Sequence, residues 1–397
     1  MSTETILKKG KNSFSLTGKV KRNDYTFTLR KKSESSDYIY SRINLAVDCG
    51  DGNIVYAEMM DGCNPNDGKI IYTRVDKTFE SLEVDWEKRK DSSIISKVSD
   101  MSLIRVGIKF DTKGGLFVEK FLSPFDAIDY LDETLEDGTY VTVSGELEYS
   151  VYNGETQMKK KIKSIFLTKE DEAHPPKANF IQTFLFEKNY LGQADAETNT
   201  LRANAFVPEY INKADGITIK KTVLIPKAFD FDLSKFDEAK LRKALPNYFK
   251  FKNGYWFEMT IEGTFREGVA IKGLDEVDDS LLDEVSSAMK NDFDLDDEDF
   301  KSRKVIAGQR DKRMFFKKPY QQEKTTELAD GSKVVDRPIM SCADKYMIGE
   351  IPMYFDFVDG EFDDANPSVI SATPKVDKKA QAEIVDDEDD FINSLLK

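Results

Sequence analysis

Apolar and polar residues alternate through much of residues 13–60, which is the pattern of β-strands with one buried face. Turn signals at Asn23-Asp24 and Gly50-Asp51-Gly52 divide this stretch into consecutive strands. In the strand over 38–47, alternation assigns the apolar residues Ile43, Leu45 and Val47 to one face and Tyr38, Tyr40, Arg42 and Asn44 to the other. The second face therefore combines aromatic rings with a cation and is predicted to be exposed.

A helix is predicted after Ser123, because serine is a good N-cap and Pro124 suits the first helical position. Apolar residues follow at helical spacing, and Gly138 ends the element. Strands over 140–147 and 158–167 come next, joined through the hairpin signal Asn153-Gly154. Three strands, a helix and two strands is the order of an OB-fold, a small five-stranded barrel.

The same order starts again after Pro175-Pro176. Strands are predicted over 180–186, 201–207, 217–225 and 255–265, with a helix over 234–245 that Ser234 begins and Pro246 stops. Gly145 and Gly263 occupy matching positions in the fourth strands, where a glycine suits a tight barrel bend. Two interpretations are open: a duplicated architecture, or two β-rich segments that share a common pattern.

The predicted fold is mainly β with minor α: two tandem OB-fold-like barrels and an acidic, partly disordered C-terminal tail. The predicted segments are a first barrel over 1–172, a second over 173–273, an acidic linker over 274–300, a basic and aromatic segment over 301–362, and a disordered linker with the tail over 363–397. The segment 301–362 either packs on the second barrel or forms a small third module.

The net charge of −15 is unevenly distributed. Residues 275–299 and the last fifteen residues hold most of the excess carboxylates, so the rest of the chain is close to neutral. That remainder has room for basic patches, which occur near the start, over 159–163, and around Phe315 and Phe316. Cations interleaved with aromatic residues suit a single-strand binder, since cations neutralise phosphates and rings stack on unpaired bases.

Composition argues against most enzyme classes. The single histidine, His174, excludes a conventional Ser-His-Asp triad and Cys/His zinc spacing, and the sequence contains no phosphate-binding loop or dinucleotide fingerprint. We therefore expect a protein that is not an enzyme, without catalytic residues, cofactor or metal. Three unpatterned cysteines and the absence of an apolar signal segment favour the cytoplasm, that of the host if the chain is viral, and no membrane association.

The last fifteen residues combine an acidic run with a small apolar cluster. The carboxylates of residues 386–390 stay solvated, and the apolar residues behind them have the spacing of one helical face that seeks a groove. The predicted partner-binding residues are Asp389, Asp390, Phe391, Ile392, Leu395 and Leu396.

This plan resembles that of single-stranded DNA-binding proteins of the bacterial and bacteriophage type. The resemblance rests on Leu16-Thr-Gly18-Lys-Val20, on the strand from Tyr40 to Val47, on the Val-x-Val-x-Gly145 strand and on the acidic tail with its Phe391-Ile392 tip. It implies barrels that coat exposed single strands during DNA replication and recombination, and a tail that recruits replication or recombination proteins. The tail departs from the bacterial form, which closes on Pro-Phe, and the length favours a larger bacteriophage type.

The candidate nucleic-acid-binding residues lie in three groups. They are Tyr38, Tyr40, Arg42 and Tyr56 on the sheet face, Arg22 and Tyr25 at its first turn, and Tyr149, Tyr152, Lys159 and Lys161 around the last hairpin. An alternative function is that of a structural or adaptor β-barrel protein, without catalysis, in a phage particle or transcription complex. A metal-dependent nuclease would need a compact carboxylate cluster on ordered elements, which the sequence pattern does not show.

Overall fold

The fold is mainly β, as the sequence predicts. The computed structural model describes residues 6–34, 36–152, 155–196, 198–214, 217–249, 252–268, 311–328, 332–336, 341–357, 361–362 and 370–371. The predicted acidic linker and acidic tail lie outside these residues. None of the helices among the described residues is both long and apolar enough to span a membrane.

The first half of the chain forms ten strands and two helices. In chain order these are β1 (Asn12–Lys21), β2 (Phe27–Lys32), β3 (Ile39–Asp48), β4 (Ile54–Cys63), β5 (Ile70–Arg74), β6 (Ser81–Asp85), α1 (Ser92–Ile95), β7 (Ile104–Phe110), β8 (Leu116–Phe121), α2 (Pro124–Thr134), β9 (Tyr140–Tyr152) and β10 (Glu155–Leu167).

Five of these strands close into a barrel. β1 pairs with β3 and with β9, β3 pairs with β4, and β9 pairs with β10, all antiparallel. A parallel contact between Lys161 of β10 and Glu58 of β4 completes the circuit. With α2 between the third and fourth barrel strands, this is the connectivity of the OB-fold. The core lies inside, where Leu16, Ile43 and Val143 are fully buried.

Helix α2 begins where the sequence predicts. The Ser123 hydroxyl accepts a hydrogen bond from the Phe125 amide, and Pro124 occupies the first turn. Ile128 and Leu131 point into the core and are completely buried. The helix therefore plugs one end of the first barrel.

The sequence pattern assigned no elements between β4 and α2, and the structure places an insertion there. The hairpin β5–β6 and helix α1 enclose a separate small core that includes Val84, Val98 and Leu122. The hairpin β7–β8 extends the main sheet, because β7 runs parallel to the second half of β10. Short alternating stretches interrupted by charged residues hide this insertion from a pattern analysis.

The second half contains the remaining elements. They are β11 (Lys177–Phe186), β12 (Leu191–Asp195), β13 (Thr200–Ala203), β14 (Phe206–Ala214), β15 (Ile217–Pro226), β16 (Phe229–Asp232), α3 (Glu238–Phe249), β17 (Tyr255–Gly268), β18 (Asp311–Pro319), β19 (Lys324–Glu327), β20 (Lys333–Asp336), β21 (Ser341–Met347), β22 (Glu361–Phe362) and β23 (Ile370–Ser371).

These strands repeat the OB-fold circuit. The consecutive strands β11 and β12 act as one bent first strand, with β11 paired to β17 and β12 to β13. β13 pairs with β16, β17 pairs with β18, and a parallel contact between Asp230 of β16 and Phe315 of β18 closes the circuit. α3 again separates the third and fourth barrel strands, and the hairpin β14–β15 is inserted between the second and third.

Three details of the second pass differ from the sequence prediction. The third barrel strand is the four-residue β16, whereas the predicted strand at 217–225 belongs to the inserted hairpin. The fifth strand is β18, beyond the predicted end of the barrel at residue 273, because an acidic stretch separates it from β17. Helix α3 begins after Asp237, which caps the Lys240 amide, and continues past Pro246 to Phe249. A proline removes one intrahelical hydrogen bond, and here it does not end the helix.

The two barrels meet in a near-symmetrical way that favours duplication. β1 pairs antiparallel with β11, and Phe14 of one lies opposite Phe180 of the other. Phe14 is also opposite Gly145, and Phe180 is opposite Gly263. A Cβ at either glycine would collide with the backbone of the fifth strand, so both fourth strands need glycine at the same place.

Candidate nucleic-acid interface

The outward side of β3 is polar and aromatic, as alternation predicts. Ile43, Leu45 and Val47 are completely buried in the first barrel. Arg42 is exposed and Tyr40 is half-buried on the opposite side of the strand. The face assignment made from the sequence is therefore consistent with the burial of each side chain.

Strand register brings further side chains beside these two. Tyr40 lies opposite Lys31 on β2 and Gly62 on β4, so β4 places no side chain across from the ring. Arg42 lies opposite Met60, which is exposed, and Tyr56 is four residues before Met60 on the same side of β4. Tyr56 itself is half-buried. Two rings, Tyr40 and Tyr56, and two cations, Lys31 and Arg42, thus share one side of β2, β3 and β4.

Strand β10 supplies two more cations next to β4. Lys159 and Lys161 are both exposed, and the parallel contact of Lys161 with Glu58 places them beside the β3–β4 hairpin. Glu58 accepts a hydrogen bond from Arg42 at 2.8 Å and lies 3.8 Å from the Lys159 ammonium group. Lys161 forms an ion pair with Glu148 on β9. We call Lys31, Tyr40, Arg42, Tyr56, Lys159 and Lys161 the outer face of the first barrel.

The outer face lies on the side of the OB-fold at which other proteins of this fold bind oligonucleotides. In an OB-fold, oligonucleotides bind across the second and third strands, which are β3 and β4 here, and along the loops that flank them. The carboxylate of Glu58 holds Arg42 in place, and a guanidinium group retains further N–H donors for a phosphate. The rings stand beside cations, which suits base stacking next to a backbone contact.

Two predicted residues flank the outer face in the segment between β1 and β3. The Tyr25 side chain is 87% exposed in the turn before β2. Tyr38 immediately precedes β3 and is half-buried, and burial together with the nearby Asp61 carboxylate raises the pKa of its phenol. Tyr25 is fully accessible to a base, and Tyr38 is partly so.

Arg22 does not belong to the interface. Its guanidinium group donates hydrogen bonds to the carbonyl oxygens of Asp132 and Leu135 and to the Asp132 carboxylate, at the end of α2. It also lies 4.6 Å from the centre of the Phe27 ring. A cation is favourable at a helix C-terminus, so Arg22 stabilises α2, and three of its five guanidinium N–H groups are bonded there.

Tyr149 is also wrongly assigned. It is only 2% exposed, and its hydroxyl donates to the Gln182 side chain of the second barrel at 3.2 Å. Burial and the neighbouring Glu209 raise the pKa of its phenol well above the ordinary value. Alternation along β9 already places this residue on the same side as the core residues Val143 and Leu147, which was the available signal.

The remaining predicted sites are outside what can be described. The Tyr152 side chain and the tail residues Asp389, Asp390, Phe391, Ile392, Leu395 and Leu396 lie outside the described residues. In the basic and aromatic segment, Phe315 and Phe316 are buried in the second barrel and cannot stack on bases. Lys317 and Lys318 both pair with Glu262.

Pattern analysis did not include Lys31 and Glu58 among the site residues. Lys31 stands in a run of cations, but only the register with β3 places it opposite Tyr40. In the sequence, Glu58 is one of many acidic residues. Only the positions of β3 and β10 beside β4 place Arg42 and Lys159 next to its carboxylate. Among the described residues, no group of three or more His, Cys, Asp or Glu side chains could hold a metal ion.

Comparison with known proteins identifies a family. No curated protein sequence matches the chain. Two solved structures of the single-stranded DNA binding protein from Thermus aquaticus are similar to it at 11% identity. A deletion mutant has a TM-score of 0.27 over 65% of this chain and 88% of that one, and the wild type has 0.26 over 66% and 87%.

TM-scores of this size do not establish a shared fold, so the fold rests on the strand pairings described above. The YorF family model matches residues 11–263 of the 397, from β1 into β17. This span is more than half of the chain and includes most of both barrels. The chain belongs to the YorF family.

Proposed function

We propose that this protein binds single-stranded DNA on the outer face of the first barrel and coats exposed strands without performing chemistry on them. The observation that carries the proposal is the placement of Tyr40 and Arg42 side by side on β3, with their apolar neighbours turned into the core. Glu58 orients Arg42 beside the Tyr40 ring on the exposed side of the sheet. Such pairs are suited to stacking a base and holding its phosphate.

Each side chain of the outer face has a defined part in this mechanism. Tyr40 and Tyr56 stack on bases, with Tyr38 and Tyr25 at the edge of the face, and each stack contributes roughly 1–3 kcal/mol. Arg42, Lys31, Lys159 and Lys161 neutralise backbone phosphates. Because rings and point charges do not read base edges, sequence preference should be slight. Duplex DNA hides its base faces and should bind more weakly.

The first test is the binding of a labelled oligonucleotide, measured by fluorescence anisotropy over a range of salt concentrations. If Arg42 and the three lysines each neutralise one phosphate of a single strand, log K should fall with log salt at a slope of about −3. A duplex of the same length should bind less tightly at each salt concentration. Equal affinity for duplex and single strand, or no binding at low salt, would contradict the proposal.

A role in DNA replication or recombination, in the cytoplasm of a bacteriophage-infected host, is the context that we infer from the sequence plan. The acidic tail would then recruit a replication or recombination protein through its apolar tip, Phe391, Ile392, Leu395 and Leu396. The same carboxylates repel phosphates and compete with them for the lysines of the outer face.

Deleting residues 383–397 removes five net negative charges. We expect the truncated protein to bind single strands as tightly as the intact chain or more tightly, with the difference largest at low salt. It should no longer capture replication or recombination proteins from an extract of infected cells. The variant Phe391→Ala, Ile392→Ala keeps every carboxylate, so it should lose capture while its DNA affinity is unchanged. Loss of DNA binding on truncation would show that the tail belongs to the folded body.

A further inference from the structure

The second barrel carries a charged cluster at the position that corresponds to the outer face of the first. In the first barrel, Glu58 on the third barrel strand lies between Arg42 on the second and Lys159 on the fifth. In the second barrel, Asp230 on the third strand accepts from Arg202 on the second, at 3.2 Å, and from Arg313 on the fifth, at 2.9 Å.

The correspondence extends to the register. Lys159 is two residues before Lys161, which makes the parallel contact with Glu58. Arg313 is likewise two residues before Phe315, which makes the parallel contact with Asp230. A carboxylate held between an arginine and a second cation therefore occurs at equivalent places in the two barrels.

The second cluster contains more cations than its carboxylates can neutralise. Beside Asp230, the Asp232 carboxylate lies 2.6 Å from the Arg266 guanidinium group and 3.7 Å from the Lys235 ammonium group. We call Arg202, Asp230, Asp232, Lys235, Arg266 and Arg313 the second-barrel face. It has four cations to two carboxylates, and both carboxylates are buried while Arg266 is 51% exposed. These six side chains together therefore carry a net charge of +2.

This face differs from the outer face in its aromatic residues. The four rings of β16 and β18 are Phe229, Phe231, Phe315 and Phe316, and each is at most 8% exposed. Arg266 and Arg313 cover Phe315, with guanidinium carbons 4.2 and 5.6 Å from the ring centre. The Phe315 ring stabilises the arginines by cation–π contact, and none of the four buried rings can stack on a base.

The two faces are adjacent at one end. The Asn53 side chain donates to the carbonyl oxygen of Phe265 and accepts from the amide of Glu267, each at 2.9 Å. Asn53 thereby fixes the backbone on both sides of Arg266, and it stands immediately before β4, which carries Tyr56. The start of β4, which leads to Tyr56, therefore lies against the part of β17 that carries Arg266.

A buried lysine adds to the positive field beneath the second-barrel face. Lys227 lies within electrostatic reach of Asp230 and Arg202, and burial followed by the nearby Lys160 lowers its pKa to about 8. It is therefore largely protonated at neutral pH and adds to the attraction for a phosphate.

We propose that the second-barrel face binds the sugar-phosphate backbone alone, through Arg202, Arg266 and Lys235, and continues the path of a strand whose bases stack on the first barrel. The inference rests on the proposed function for the direction of the path. Binding at the second-barrel face differs from binding on the first barrel, because it requires phosphates and no bases. The second barrel therefore adds affinity that is indifferent to base identity and to the presence of a base.

The test uses a thymidine oligonucleotide of about 10 nucleotides, within the span of one OB-fold, and the same oligonucleotide extended at either end by about 10 abasic residues. We expect the abasic extension at one end to raise the affinity of the intact protein about tenfold at low salt. The variant Arg202→Gln, Arg266→Gln should lose this gain and should bind the short oligonucleotide normally.

The control is Lys213→Gln, Lys220→Gln, which removes the same charge from exposed positions on the hairpin β14–β15 and should keep the gain. Should the arginine variant fail to fold, Lys235→Gln, Arg266→Gln removes two exposed cations instead. Three results would overturn the proposal. The affinity could fail to rise with an abasic extension, it could rise only when the extension carries bases, or the rise could persist in both variants.

Failure of the proposed function gives a different result. The short oligonucleotide would then bind the intact protein no more tightly than it binds a Tyr40→Ala, Arg42→Ala variant. In that case inorganic polyphosphate serves as the probe. The intact protein should still bind it more tightly than the Arg202→Gln, Arg266→Gln variant, and equal affinities would overturn the backbone site by themselves.

Discussion

The double variant Tyr40→Ala, Arg42→Ala should bind single-stranded DNA roughly 30- to 1,000-fold more weakly than the intact protein. The loss combines one base stack, worth roughly 1–3 kcal/mol, with one solvent-exposed contact between Arg42 and a phosphate, worth about 1 kcal/mol. Both side chains stand on the side of β3 that faces away from the core, so the folded structure should be preserved. Anisotropy titrations give the affinity, and a thermal unfolding curve gives the stability.

The chain contains a matched control for this experiment. Tyr72 and Arg74 form the same Tyr-x-Arg pattern on β5, in the inserted module, and both side chains are exposed. Tyr72→Ala, Arg74→Ala removes the same atoms and the same charge from outside the outer face. It should leave affinity within about twofold of the intact protein, a difference under roughly 0.5 kcal/mol. If the two variants lose affinity equally, stacking on β3 is not the basis of binding.

Replacing Glu267 by glutamine should destabilise the protein by about 3–5 kcal/mol. Glu267 of the second barrel forms an ion pair with Lys160 of the first, and their side chains are only 5% and 4% exposed. Burial lowers the pKa of Lys160, and Glu267 opposes that effect. Removing one partner of a buried pair leaves the other charge without compensation in a poorly solvated site.

Denaturant unfolding of three variants separates this effect from a general loss of charge. Glu148→Gln breaks the exposed pair with Lys161, the next residue on β10, and should cost less than about 1 kcal/mol. The double variant Lys160→Met, Glu267→Leu removes both buried charges and should be close to the intact protein in stability. Equal losses for Glu267→Gln and Glu148→Gln would show that water reaches the junction between the barrels.

This junction matters for the proposed path of the strand. Lys160 lies between Lys159 and Lys161 on β10, and Glu267 follows Arg266 on β17. The ion pair therefore fixes the position of the outer face relative to the second-barrel face. A destabilised junction should weaken the gain from an abasic extension more than the binding of a short oligonucleotide.

The alternating pattern was sufficient for the exposed residues of β3. A strand has only two sides, so the apolar set Ile43, Leu45 and Val47 determines where Tyr40 and Arg42 point. Applied to β9, the same rule places Tyr149 on the side of the core residues. The prediction that Tyr149 binds nucleic acid did not follow that rule. Arg22 is different, because no local pattern shows that the end of α2 lies beside it.

By itself, the sequence determined the mainly β class, the order of barrel strands and helix in the first pass, and the sides of β3. These follow from periodicity and turn residues, which are local properties of the chain. Only the tertiary structure decided that β16 and β18 close the second barrel and that Lys31 stands beside Tyr40. It also decided that Asp230 and Arg202 repeat the arrangement of Glu58 and Arg42. These facts depend on pairing between residues far apart in the sequence, and alternation carries no information about which strand lies alongside another.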